Sequence, residues 1–127
     1  MSTALITGGS RGIGREICAA FARAGYDVAF TYTKDEAGAR ETARRIQEAG
    51  AGALAFRCDV SDAAAVRTMF GQIFGLSVLV NNAGIAFYGD MQSTTPDILP
   101  RLFAVNVEGA FYCMREAIGK FLARGEG

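Results

Sequence analysis

Short apolar runs alternate with amphipathic stretches along most of the chain. Four runs, Ala4–Thr7, Val28–Tyr32, Ala53–Cys58 and Val78–Asn81, are apolar without strict alternation, which predicts strands covered on both faces and makes each a central-strand candidate. Between the first two, Ile13, Ile17, Phe21 and Ala24 recur at three- and four-residue steps, the stripe of an amphipathic helix that Gly25 can end in left-handed geometry. A second helix, rich in arginine and glutamate and mostly facing water, is predicted from about Asp35 to Ala49 with Gly50 as its stop. Ser61 can cap a third, with Val66, Met69, Phe70 and Ile73 as its stripe before Gly75. Strands alternating with helices are the pattern of βαβ units and a parallel sheet.

After the fourth strand the pattern loosens from Gly84 to Thr95, a loop that carries Phe87 and Tyr88 and leaves the end of a strand where open α/β sheets bind ligands. Thr95-Pro96 offers a cap followed by proline at a first helical position. The last helix, roughly Leu102 to Ala123, is apolar on more than one side. Phe103, Val107, Ala110, Met114 and Phe121 form one stripe, with Leu102, Val105, Phe111, Ile118 and Leu122 beside it. A helix of this kind is either wholly buried or meets the sheet on one side and a second subunit on the other; the second reading is taken here.

The 127 residues suit a single domain spanning positions 1–127. Thirteen basic residues balance thirteen acidic ones, so no strong field draws the chain to nucleic acid or an anionic membrane. No apolar stretch approaches bilayer length, and the sequence enters its first apolar run without a basic leader, which together point to a cytoplasmic protein. Cys18, Cys58 and Cys113 lie far apart in a chain without histidine, so they read as small buried hydrophobes rather than metal or thiol ligands.

The chemistry concentrates directly after the first strand, in Thr7-Gly8-Gly9-Ser10-Arg11-Gly12-Ile13-Gly14. Its glycines follow a G-x-x-x-G-x-G spacing that opens the first helix. Glycine lets the backbone turn sharply and approach a ligand, while the first N–H groups of the helix and its dipole favour a pyrophosphate. No lysine follows Gly14, which disfavours the phosphate loop of nucleotide hydrolases. Further along, Asp59 can accept a hydrogen bond from an adenine amino group with Val60 as an apolar wall. Ala83-Gly84 presents little bulk where a ligand would cross the fourth strand, and Asn81 and Asn82 can bond neighbouring backbone.

Taken in order, the glycine loop, Asp59-Val60, Asn81-Asn82-Ala83-Gly84 and Asn106 within Val105-Asn106-Val107-Glu108-Gly109 resemble the short-chain dehydrogenase/reductase family, especially its reductases of 3-oxoacyl carriers. The resemblance covers the whole chain but only the first half of what the family carries. It implies an α/β fold, a Rossmann-type three-layer α/β/α sandwich with a parallel sheet, truncated after about four strands and five helices. It also implies cofactor contacts from Gly8, Ser10, Arg11, Gly12, Ile13, Gly14, Asp59, Val60, Asn81, Ala83 and Gly84. Asn106 takes the place of the family's active-site asparagine, which supports a proton-relay water. The family's tyrosine acid, the lysine four residues beyond it and its serine have no counterpart: Tyr26, Tyr32, Tyr88 and Tyr112 are followed four positions on by Phe30, Glu36, Gln92 and Glu116.

A site selective for NAD places an acid near the end of the second strand, whereas Tyr32, Thr33 and Lys34 stand here. Thr33, Lys34 and Arg11 can accommodate a 2′-phosphate, so NADP(H) is the preferred cofactor; NAD(H) becomes possible if Asp35 turns to the ribose. The expectation is the NADP(H)-binding portion of a carbonyl or 3-oxoacyl reductase, inactive alone, with a non-catalytic dinucleotide-binding or assembly module as the alternative. A flavodoxin-like FMN protein suits the length but leaves Asp59-Val60, Asn81–Gly84 and Asn106 unexplained. With later strands missing, the fourth becomes an unpaired apolar edge, and a homo-oligomer through that edge or the last helix is expected.

Overall fold

Successive residues on a strand point to opposite faces, and on the strands of this chain both faces are apolar. Ala4 and Ile6 of the first strand join Val28 and Phe30 of the second in one buried cluster, while Leu5 and Ala29 fall into another on the opposite side. The computed structural model describes residues 2–127. Its strands β1 (Thr3–Ile6), β2 (Asp27–Tyr32), β3 (Ala53–Arg57) and β4 (Leu76–Val80) form one parallel sheet in the order β3-β2-β1-β4. Helices α1 (Gly12–Arg23) and α2 (Glu36–Glu48) lie over one face. On the other are α3 (Ala63–Gly71) and a helical run made of α4 (Ile98–Phe103), a π-helical turn (Ala104–Gly109) and α5 (Ala110–Arg124). This is the expected three-layer Rossmann-type arrangement.

Glycine ends the first two helices as the sequence suggests: Gly25 and Gly50, just past α1 and α2, adopt φ of 94° and 87°. Basic side chains at the end of α5 fasten it to β4 and the loop before it, Lys120 donating to the Ile73 carbonyl at 3.0 Å and Arg124 to that of Leu76 at 2.6 Å.

Several local expectations are corrected. Asp62, not Ser61, caps α3, accepting from the Ala65 N–H at 3.1 Å; the Ser61 hydroxyl is drawn back to Asp59 at 2.7 Å. Thr95-Pro96 forms a turn before α4, which begins at Ile98 after Asp97. On α1 the fully buried residues are Gly14, Cys18, Ala19 and Ala22, because small residues let the helix backbone approach the sheet; of the expected stripe Ile17 and Phe21 pack half-buried against the core, while Ile13 is 74% exposed. The last helical run is seated through Val105, Gly109, Cys113 and Ala117, while members of both apolar stripes, Phe103, Val107 and Met114 of one and Phe111, Ile118 and Leu122 of the other, are exposed. β3 is an edge rather than a central strand, since it has only one partner, and β4 is the edge it was expected to become. All three cysteines are buried and unpaired, as expected.

Candidate functional site

The chain runs outward from β1 to β2 and β3, then returns to the far side of β1 with β4, so the direction of winding reverses between β1 and β4. A crevice opens beyond the carboxyl ends of the strands at such a point. Here it is a cavity of about 330 Å³. Gly8, Ser10, Arg11, Ile13 and Gly14 line it from the loop after β1, and Thr31, Tyr32 and Thr33 from the end of β2. Cys58, Asp59 and Val60 follow β3, Asn82–Ile85 follow β4, and Val105 reaches in from the π-helical turn.

Hydroxyl and amide side chains sew these loops together. The Thr7 hydroxyl accepts from the N–H groups of Asn82 and Ala83 at 3.0 and 2.9 Å. Asn82 Nδ2 donates back to the carbonyls of Thr7 and Gly8 at 3.1 and 3.0 Å. The Gly8 N–H donates to the Thr31 hydroxyl at 3.0 Å. Gly8 holds φ 72°, and a Cβ there would lie 3.0 Å from Ala83 Cα, so the two loops are in backbone contact. A Cβ at Gly14 would collide with the Gly8 carbonyl oxygen, whereas one at Gly12, at φ 58°, would project into open space.

That open space lies at the head of α1, where Arg11 is the N-cap residue and no side chain caps the helix among the described residues. In α2 and α3 the corresponding position is filled by Asp35 and Asp62. The first N–H groups of α1 are therefore left for an outside acceptor, and an anion satisfies both their donors and the helix dipole. This backbone geometry fits a diphosphate.

At the β3 end, partial burial works to raise the Asp59 pKa, but bonds from the Ser61 hydroxyl and N–H, with Arg101 at 3.6 Å, hold its carboxyl below the usual range. It stays an ionised acceptor. Burial pushes the Cys58 thiol up to about 11, with the carboxylates of Asp62 and Asp59 adding to the effect, so this cavity-lining sulfur is not a nucleophile.

Of the residues singled out from the sequence, Gly8, Ser10, Arg11, Ile13, Gly14, Thr33, Asp59, Val60, Ala83 and Gly84 line one cavity. Gly12 shapes the turn beside it. Lys34 and Asn81 are not among the lining residues, and Asn81 donates instead to the Ala110 carbonyl at 3.4 Å. Asn106 stands behind the cavity and clamps the backbone of Ile85, accepting from its N–H and donating to its carbonyl, both at 2.8 Å. The π-helical turn containing it has one extra residue per turn, an irregularity frequent at functional sites. The backbone bonds expected of Asn82 are present. The bracing hydroxyls of Thr7 and Thr31 were given no role, although each is a polar side chain within one residue of the end of an apolar strand.

The sequence pattern of the short chain dehydrogenase family matches residues 2–127. An oxidoreductase of Escherichia coli K12, YgfF, is 39% identical over all of this chain and 53% of its own length. A short-chain type dehydrogenase/reductase from Mycobacterium marinum superposes with a TM-score of 0.91 at 34% identity, over 99% of this chain and 52% of the other. A short chain dehydrogenase from Burkholderia cenocepacia, solved in complex with NADP, superposes with a TM-score of 0.88 at 37% identity, over 92% and 49%. The chain thus spans about half the length of the relatives it matches.

Proposed function

The chain belongs to the short-chain dehydrogenase family, and from that premise we propose that it is the NADP(H)-binding portion of an oxidoreductase acting on a carbonyl or 3-oxoacyl substrate. The observation that carries this reading is the uncapped head of α1, opening on a cavity that Asp59 and Val60 share. The bound dinucleotide would supply hydride. The residues of this chain would hold it: the first amides of α1 on the diphosphate, Asp59 on the adenine amino group, Val60 as the wall beside it. Asn106, in the place of the family's active-site asparagine, holds the Ile85 loop and would support a proton-relay water.

NADP(H) is preferred over NAD(H) because Asp35, the acid best placed to bond ribose hydroxyls, is committed to α2, where its carboxylate accepts from the Gly38 N–H at 2.8 Å. Arg11 and Thr33 line the cavity and offer a cation and a hydroxyl to a 2′-phosphate, with Lys34 adjacent in sequence. Calorimetric titration with NADPH and NADH tests this directly. Tighter NADPH binding is expected; tighter NADH binding overturns the preference, and no binding of either at millimolar concentration overturns the reading.

A dinucleotide-binding or assembly module is the second reading; these 127 residues contain no Tyr-x-x-x-Lys. Both readings expect no carbonyl reduction by this polypeptide alone. They separate when a second polypeptide carrying a Tyr-x-x-x-Lys segment is supplied: restored turnover favours the reductase, and binding without turnover favours the module. We further propose a cytoplasmic homo-oligomer without nucleic acid or membrane partners. It would assemble through the β4 edge or through the apolar face of the last helical run, where Phe103, Val107, Phe111, Met114, Ile118 and Leu122 are all exposed. No helix among the described residues is long and apolar enough to cross a membrane.

A further inference from the structure

Two carbonyl oxygens of the glycine loop, those of Gly9 and Ser10, are bonded by side chains that do not line the cavity. The Gly9 carbonyl accepts from the Thr42 hydroxyl at 2.8 Å, a fully buried bond reaching from α2. The Ser10 carbonyl accepts from Arg15 Nη2 at 2.6 Å. These two bonds are not independent, because Arg15 Nε donates to the same Thr42 hydroxyl at 3.1 Å and Nη2 also donates to the Gly38 carbonyl at 3.2 Å. One guanidinium and one hydroxyl therefore join the loop, α1 and the first turns of α2. Packing leaves no slack at this joint, since a Cβ at Gly38 would collide with the Ser10 carbonyl oxygen and with Asp35.

We propose that Arg15 and Thr42 are positioning residues that latch the glycine loop in its concave shape. They tie the phosphate cradle to the Thr33–Asp35 segment, so that the two halves of the cofactor surface keep a fixed spacing. A peptide plane is rigid, so fixing the carbonyls of Gly9 and Ser10 also fixes the aim of the N–H groups of Ser10 and Arg11 on the same planes. Neither latch residue is among those lining the cavity, so both act through the loop rather than on the ligand. The proposal rests on the dinucleotide reading of the site for its functional consequence and on the bond network alone for the latch itself.

The test pairs Thr42→Val, which keeps the shape and removes the hydroxyl, with Thr42→Ser, which restores it, and with Arg15→Gln, which removes the guanidinium at a half-buried position. The first readout is amide hydrogen exchange without ligand. Loss of the buried bond is expected to speed exchange at Gly8, Gly9 and Arg15 by about tenfold in Thr42→Val and Arg15→Gln, with α3 unchanged and Thr42→Ser close to wild type. The second is NADPH titration, where the same two variants are expected to bind about tenfold more weakly and Thr42→Ser to recover wild-type affinity. Unchanged exchange at the loop, or exchange that rises equally in α3, overturns the latch. If wild type fails to bind NADPH, the dinucleotide reading falls while the exchange comparison still decides the latch. Binding that is unaltered in variants whose loop exchange has risen overturns the positioning role.

Discussion

At the head of α1 the groups left without partners are backbone N–H donors; along Phe103–Leu122 they are apolar side chains. The first set is small, concave and held from behind by Thr42 and Arg15. The second is a broad convex stripe at three- and four-residue steps, on a helix whose buried side carries only Val105, Gly109, Cys113 and Ala117 among fully buried residues. Unpaired donors at a helix start call for an anion, and an exposed apolar stripe calls for another apolar surface. The two regions therefore differ in what would satisfy them, an anion for the first and an apolar surface for the second.

The comparison can be broken most severely from beneath the cradle. Phe30 is fully buried under the glycine loop, so close that a Cβ on Gly9 would lie 2.6 Å from its own Cβ. Phe30→Ala is expected to destabilise the fold by about 3–5 kcal/mol in urea denaturation, with loss of the cradle. Gly14→Ala forces a methyl group against the Gly8 carbonyl oxygen and should cost about 1–3 kcal/mol while abolishing NADPH binding in the fraction that remains folded. At the other end, Phe111→Lys with Ile118→Lys changes exposed positions, 52% and 53% accessible, so stability should move by less than about 0.5 kcal/mol per site. Sedimentation velocity should then show a smaller species than wild type; an unchanged species removes the helix from the interface.

The smallest effect expected concerns the thiols, which belong to neither open region. Burial pushes Cys18 and Cys113 up to about 12 and Cys58 to about 11, against an ordinary value of 9.0. Their folded pKa values are raised, so the unfolded chain loses these protons first. The stability they contribute is intact below pH 9 and declines as pH rises through that window towards about 12. Alkylation at pH 8 should be at least about tenfold slower in the folded protein than in denaturant.

How much of this was legible in the sequence follows from what each residue competes with. The four strands, the glycine stops and the cradle were readable because apolar runs and left-handed glycines are decided locally. The cap of α3 was not, because Asp59, two residues back, takes the hydroxyl that Ser61 would otherwise offer. The stripe of α1 was half right: Ile17 and Phe21 pack against the core, but Ile13 and Ala24 do not, because close approach to the sheet selects the small Gly14, Cys18 and Ala22 for full burial. In the candidate site, ten of the expected residues do converge, but the braces do not announce themselves in a linear reading. Thr42 meets Gly9 across thirty-three positions and Asn106 meets Ile85 across twenty-one, distances that only the packed fold closes.

The central claim is that the amides opening α1 receive a diphosphate. Amide chemical-shift mapping during NADPH titration tests it most directly. The largest shifts are expected at Arg11, Gly12, Ile13 and Gly14, with smaller ones at Asp59 and Val60 and none along Phe111–Leu122. Shifts confined to the last helix, or none at saturating NADPH, would contradict the account.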